Sequence, residues 1–278
     1  MKIAVLSGKG GAGKTFVAVN LASVAPKSTY IDCDVEEPNG HLFLKPENLT
    51  EQKVYTYIPA LDSTKCDGCR KCVDFCHFNA IVLIKNKLKV FNDVCHFCGG
   101  CKLVCPNGAI YDEKREVGVL QTGVHNNIQV VTGILNTGEA SSIPVIKEAL
   151  KSRKDSDVIV IDSPPGSACS VMESIDDADY CVLVAEPTAF GLHNFKMVHE
   201  LVRLMGKKCG VVINKSDMTY QPLIDFCNEN NTEILLDIPY DAKIAANNAN
   251  GNIASETSEI MKDKFTELLS NIRKQVKQ

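Results

Sequence analysis

The sequence predicts an α/β protein: a mostly parallel sheet covered on both faces by helices, with a small α+β module inserted into it. Three observations carry this reading. Apolar runs rich in Val and Ile recur without polar alternation, the pattern of strands buried on both faces. Helix-like segments separate these runs, as parallel strands need crossover connections. Residues 61–112 break the rhythm with short loops, clustered cysteines and few helical periods. The chain therefore divides into a discontinuous α/β domain, residues 1–58 and 116–278, and an inserted module, residues 59–115.

The first strand, Lys2–Ser7, enters a Gly-rich loop that opens a helix over Lys14–Val24. A second strand, Thr29–Cys33, runs into the acidic turn "DVEEPNG". The strand-like stretches Val54–Ala60 and Val117–Gly123 are the stems of the insertion. Further strands are expected at Val158–Ile161, Tyr180–Ala185, Cys209–Ile213 and Glu233–Leu236. Between them, helices are expected over Ser142–Lys151, Leu192–Met205, Gln221–Asn230 and Glu256–Val276.

A chain of 278 residues can bury one large core and a small module. A net charge of −4 gives no reason to expect nucleic acid as a partner. No apolar run is long enough for a membrane span, and no signal-peptide pattern precedes Lys2, so a cytoplasmic location is expected. Eight of the 13 cysteines fall in two clusters with metal-ligand spacing. In a reducing compartment that spacing points to metal binding, not disulfides.

"GKGGAGKT" satisfies the phosphate-loop pattern G-x-x-x-x-G-K-[ST] at Gly8, Gly13, Lys14 and Thr15, after a strand and opening a helix. Gly10, Gly11 and Ala12 complete a loop whose backbone N–H groups can curl around phosphate oxygens beside a helix N-terminus. Lys14 can reach the β- and γ-phosphates, and the Thr15 hydroxyl can ligate Mg²⁺. A further lysine, Lys9, stands inside the loop.

With Lys9, the string K-G-G-x-G-K-T resembles the deviant Walker A motif of the MinD/Mrp-type P-loop ATPases of the SIMIBI class, a group that includes ParA and the nitrogenase iron protein. "IDCD" (Ile31–Asp34) and "IDSPPG" (Ile161–Gly166) resemble that family's switch I and switch II elements; "INKSD" (Ile213–Asp217) and "IPYD" (Ile238–Asp241) resemble its base-recognition elements. The resemblance implies catalytic roles for Lys9, Lys14, Asp34 and Asp162. Lys9 would cross a dimer interface to the partner's nucleotide, Asp34 would orient the attacking water, and Asp162 would hold the Mg²⁺ hydration shell. Gly166 would sense the γ-phosphate and Asn214 would contact the base. "NKSD" also fits the guanine-reading loop of GTPases, with Asp217 as acceptor, but the wider signature favours ATP. Asp32, at the same strand end as Asp34, either only supports it or acts beside it.

Cys66-x₂-Cys69-x₂-Cys72-x₃-Cys76 and Cys95-x₂-Cys98-x₂-Cys101-x₃-Cys105-Pro106, 29 residues apart, each match the run of bacterial ferredoxins with two [4Fe–4S] clusters. In that run the fourth cysteine serves the other cluster. One site is then Cys66, Cys69, Cys72 and Cys105, the other Cys95, Cys98, Cys101 and Cys76. His77 stands where proline is usual. Zinc is the competing metal, but zinc sites use two separated cysteine pairs and have no need of this repeated third and fourth cysteine.

Cys33, Cys181, Cys209 and Cys227 read as core residues. Cys169, seven residues after Asp162, sits at an offset similar to the bridging-cluster cysteine of the nitrogenase iron protein. It lacks a second cysteine nearby, and a packed loop position is expected. The C-terminal helix has one apolar face, Ile260 to Val276; its polar face mixes signs and it has no Trp, so core packing is expected over membrane attachment.

The resemblances together imply an ATPase that couples dimer closure, as a homodimer or with a related ATPase, to electron transfer with an unidentified redox partner protein. The alternatives are a cluster-assembly carrier, weakened by the absence of any C-x-x-C pair after Cys105, and a redox-sensing regulatory switch.

Overall fold

The central strands send alternate side chains into two hydrophobic layers: Ile3 and Val5 into one, Ala4 and Leu6 into the other. Burial on both faces is why these strands show no polar alternation. The structure, a computed structural model, describes residues 1–85, 87–152, 156–216 and 220–277.

In chain order the elements are β1 (Lys2–Leu6), α1 (Lys14–Val24), β2 (Ser28–Asp32), α2 (Gly40–Leu44), β3 (Glu47–Leu61), α3 (Lys71–Phe75), β4 (Ile81–Ile84) and β5 (Lys87–Val90). There follow α4 (Gly100–Leu103), β6 (Ile110–His125), β7 (Ile128–Leu135), α5 (Ile143–Lys151), β8 (Val158–Asp162), α6 (Cys169–Ile175) and β9 (Tyr180–Ala185). The chain ends with α7 (Ala189–Leu204), β10 (Cys209–Ser216), α8 (Gln221–Glu229), β11 (Glu233–Pro239), α9 (Ala242–Ala249), α10 (Ala254–Thr257) and α11 (Glu259–Lys277).

Nine strands form one sheet in the order β11-β10-β9-β1-β8-β2-β7-β6-β3. From β11 to β7 every pair is parallel. The last two strands are antiparallel to their neighbours; for β6 and β7 this follows because only Asn126 and Asn127 separate them and so short a turn can only reverse the chain. Asn126 takes the left-handed conformation that such a turn demands, φ 50°.

Helices α1, α10 and α11 cover one face and α5 to α8 the other. On α11, Met261, Phe265, Leu268, Leu269 and Ile272 are buried against the sheet, with the Phe265 ring edge-on to Phe16 at 6.0 Å. Each such side chain contributes about 1.5–3 kcal/mol of burial. The segment expected as one helix from Glu256 is broken at Ser258, whose extended backbone and hydroxyl cap α11 by accepting from Met261 N. Cys169, expected to be packed, is exposed at the start of α6; its loop turns the side chain away from the core that Val171 and Ile175 enter.

Strands β3 and β6 are far longer than the expected stems. They pair from Glu47↔Val124 out to Leu61↔Ile110, so one continuous ribbon leaves the main sheet and carries the cysteine segment at its end. The boundaries expected at residues 59 and 115 fall inside this ribbon. Beyond it lie α3, α4 and the β4–β5 hairpin around a small core of Ala80, Ile81, Cys95, Cys101 and Ile110. Phe97 packs against both this core and the α/β core.

Candidate functional site

The carboxyl ends of the parallel strands β1, β2, β8 and β10 converge on one cavity of about 1010 Å³, the place where α/β sheets bind ligands. The loop after β1 forms one wall, with Lys9, Gly10, Gly11, Gly13, Lys14 and Thr15 lining it. Gly13 has φ 96°, and a Cβ there would lie 2.1 Å from the Asn214 amide nitrogen, so this position admits only glycine. Gly8 lies against the α7 backbone at Asn194. The Asn214 amide donates to Ala12 O at 2.9 Å, so this residue braces the loop from β10.

Lys14 is nearly buried and donates to Asp162 Oδ1 at 2.9 Å, with Asp34 Oδ2 at 3.4 Å. Burial works against its ammonium, but the Asp162 and Asp34 carboxylates outweigh this and hold its pKa above the ordinary value. The other Asp162 oxygen accepts from the fully buried Tyr30 hydroxyl at 2.8 Å. Asp32 accepts from Asp34 N at 3.1 Å and Gly40 N at 2.9 Å, and so fixes the acidic turn that carries Asp34. Burial, with Asp162 nearby, pushes Asp32 up to about 8 against the Gly40 N–H. Gly166 has φ 93° and donates its N–H to Ser7 O at 2.9 Å. Asp217 lies outside the described residues.

Tyr30 and Glu186 at this site were not read from the sequence. Glu186, just past β9, forms an ion pair with Lys9 and another with Lys215 at 2.7 Å. Lys215 also donates to Gly11 O at 2.6 Å, and the Lys9 ammonium sits 5.1 Å from the centre of the Phe190 ring. Burial raises the Glu186 pKa, but Lys215 and Lys9 together lower it below the usual value. A carboxylate at the end of a parallel strand, like Asp34 and Asp162, was the signal available.

The cysteines border two further cavities. Cys66, Cys69, Cys72 and Cys105 line one, and Cys76, Cys95, Cys98 and Cys101 line the other. Electrostatic neighbours divide largely the same way: burial raises Cys72 with Cys105 and Cys66 adding to it, and raises Cys95 with Cys76 and Cys98 adding, while Cys101 is raised by burial with Cys95 and Cys98 and also by Cys72 of the other set. One thiol in each set is exposed, Cys69 and Cys98. Ala80 N donates to Cys76 Sγ at 3.4 Å and Ala109 N to Cys105 Sγ at 3.2 Å, 29 residues apart.

The backbone repeats with the same period. Left-handed residues Gly68, Arg70 and Asn79 are matched by Phe97, Gly99 and Gly108. That conformation is costly for arginine and above all for phenylalanine, so the two runs are held to one shape despite different side chains. Four thiols and an N–H···S bond at each cavity are the donor set that an iron–sulfur cluster requires. Among the described residues no group of three or more His, Cys, Asp or Glu is placed to hold a metal ion.

The sequence matches the CobQ/CobB/MinD/ParA nucleotide binding domain over residues 3–253, and the chain belongs to that family. It is a nucleotide-binding protein of the MinD/ParA type. Uncharacterized protein MJ0579 of Methanocaldococcus jannaschii is 28% identical over 221 residues, covering 77% of this chain and 80% of that protein. Among solved structures, the cell division ATPase MinD of Pyrococcus furiosus superposes with a TM-score of 0.60 at 21% identity, covering 98% of both chains. MinD of Pyrococcus horikoshii, complexed with Mg-ADP, gives 0.61 at 19% identity, covering 98% of this chain and 95% of that one. Among the described residues no helix is long and apolar enough to cross a membrane.

Proposed function

We propose that the protein is an ATP-hydrolysing iron–sulfur protein in which nucleotide-driven dimer closure is coupled to electron transfer. The ribbon-borne segment, residues 59–115, would act as a ferredoxin-like module. Cys66, Cys69, Cys72 and Cys105 would hold one [4Fe–4S] cluster and Cys95, Cys98, Cys101 and Cys76 the second. Bound there, the clusters supply one-electron carriage.

The observation that carries the coupling is a pair of consecutive hydrogen bonds. Leu135 N donates to Val35 O at 2.8 Å, and Asn136 N donates to Val117 O at 2.9 Å. Val35 lines the nucleotide cavity and Val117 lies on β6, whose far end carries Ile110 beside Cys105. A shift of the acidic turn is thereby passed to the base of the ribbon.

The chain's own residues then have defined tasks. Lys14 would leave Asp162 for the phosphates, and Thr15 and Asp162 would hold Mg²⁺ with its water shell, which supplies positive charge at the phosphates. Asp34, fixed by Asp32, orients the attacking water. The Gly166 N–H exchanges Ser7 O for the γ-phosphate, and Lys9 exchanges Glu186 for the nucleotide of a second subunit. That subunit is another copy or a related ATPase.

Anaerobically purified protein is expected to contain close to eight iron and eight sulfide per chain, as two [4Fe–4S] clusters require, and to hydrolyse ATP with Mg²⁺. Stoichiometric zinc without sulfide would refute the reading. Iron released with each turnover would turn it into that of a cluster carrier.

A further inference from the structure

We propose that the surface around Cys69 is the docking site for an acidic one-electron carrier protein, with Arg70, Lys71, Lys85 and Lys87 as its cationic contact. The proposal rests on the iron–sulfur reading above and adds the class of partner.

The two exposed thiols have opposite surroundings. Cys98 follows Phe97, which packs into the α/β core, and its cavity is walled by Tyr57, Phe75, Phe78 and His96. Phe78 and His96 stack there at 4.0 Å. That end of the module is turned toward the ATPase. Cys69 is followed by Arg70 and Lys71, both exposed. Arg70 lines the same cavity as Leu83, and β4 runs on from Leu83 into the exposed Lys85, with Lys87 paired across the hairpin to Ile84.

None of these four cations has an ion pair among the described residues, whereas two of the acids nearby are engaged and the exposed Asp74 leaves the four cations in excess. Asp62 pairs with Lys65 at 3.2 Å, and Asp67 accepts from Cys69 N at 3.0 Å. Residues 62–109 hold seven Lys and Arg against four Asp and Glu, in a chain with 30 against 34. Positive charge is thus concentrated on the module of an acidic protein. Thiolates make the centre of the site electronegative, so a cationic rim is what lets an acidic protein approach it.

Complementary charge mainly speeds encounter and sets orientation. The event itself is the passage of one electron between the carrier's redox group and the site bounded by Cys66, Cys69, Cys72 and Cys105. No bond forms or breaks and no proton moves.

The test mixes the anaerobically loaded full chain with a reduced acidic ferredoxin in a stopped-flow instrument. The second-order rate constant is expected to fall about tenfold or more between roughly 10 and 150 mM ionic strength, as the screening length contracts from about 30 to about 8 Å. Combining Arg70→Glu, Lys71→Glu and Lys85→Glu should slow the low-salt reaction by a similar factor and flatten its salt dependence. Lys274→Glu on α11 should do neither. Iron and sulfide contents should match in all three proteins, which separates docking from loss of the site. A salt-independent rate, an unslowed triple variant, or a faster reaction with a basic cytochrome would overturn the proposal. Competition by short duplex DNA would assign the surface to nucleic acid and overturn it as well. Wild-type protein without sulfide, unbleached by dithionite, would instead overturn the iron–sulfur reading itself.

Discussion

Arg115 grips Glu139 with both terminal nitrogens, at 2.9 and 2.7 Å, and the Glu139 carboxylate is 4% exposed. Arg115 belongs to β6 and lies close enough to the Cys95 thiol to oppose the rise in its pKa that burial causes. Glu139 lies three residues before Ser142, which lines the nucleotide cavity. The ion pair therefore stands between the two functional regions. Arg115→Gln removes a positive charge beside the second cysteine set, which favours the oxidised form and lowers its potential. Glu139→Gln leaves the guanidinium unneutralised and raises it. At an effective dielectric of about 20, shifts on the order of 50 mV in these opposite directions are expected. Redox titration followed by absorbance near 400 nm checks both signs; shifts in the same direction would exclude the pair as a carrier of charge coupling.

Lys9 is held within its own chain by Glu186, although the family resemblance implies that it acts across a dimer interface. Glu186→Gln releases it. A partly exposed pair of this kind is worth about 1 kcal/mol, so the ATP-dependent dimer should form at a several-fold lower protein concentration. Light scattering with ATP measures this. Lys9→Ala should lose both dimerisation and hydrolysis while still binding nucleotide, and Lys14→Ala should lose binding altogether. Normal hydrolysis by a monomeric Lys9→Ala protein would show that the lysine has another role.

The crossed arrangement of cysteines makes a pairwise prediction. Cys105→Ser should damage the same cluster as Cys66→Ser, since both residues border one cavity. It should leave the spectrum of the cluster lost in Cys98→Ser. Electron paramagnetic resonance of the reduced proteins distinguishes the two; matching spectra for Cys105→Ser and Cys98→Ser would contradict the crossing.

Much of this architecture is legible in the residues because local signals agree with tertiary placement. The phosphate loop is bounded by a strand and a helix in both sequence and structure, and the cysteine spacing already separates the quartets that border each cavity. Strand β7 is not legible. "IQVVTGIL" is interrupted by Thr132 and Gly133, and the glycine is required by contact, since a Cβ there would meet Val35 at 2.6 Å. The length of the ribbon is also hidden, because Glu47 to Lys53 and Glu113 to Glu116 are mostly charged and polar and lie on the edge strand β3 and on the part of β6 beyond its pairing with β7, where little need be buried. Tyr30 and Glu186 gain their roles only from partners 132 and 177 positions away in the chain, Asp162 and Lys9; no local pattern encodes such contacts.

Coupling between the nucleotide and the clusters is tested most directly by redox titration of the Asp34→Ala protein with and without ATP. Loss of the water-orienting carboxylate should trap the ATP-bound dimer, so closure is compared at fixed sequence. Linkage requires that a potential which shifts with ATP be matched by an ATP affinity that differs between oxidised and reduced protein. A coupling of about 1–3 kcal/mol corresponds to a shift of roughly 40–130 mV for one electron. A shift in that range, with the reciprocal change in ATP affinity, is the predicted result. Titrations that superimpose with and without ATP would mean that the cysteine module rides on the ATPase without being coupled to it.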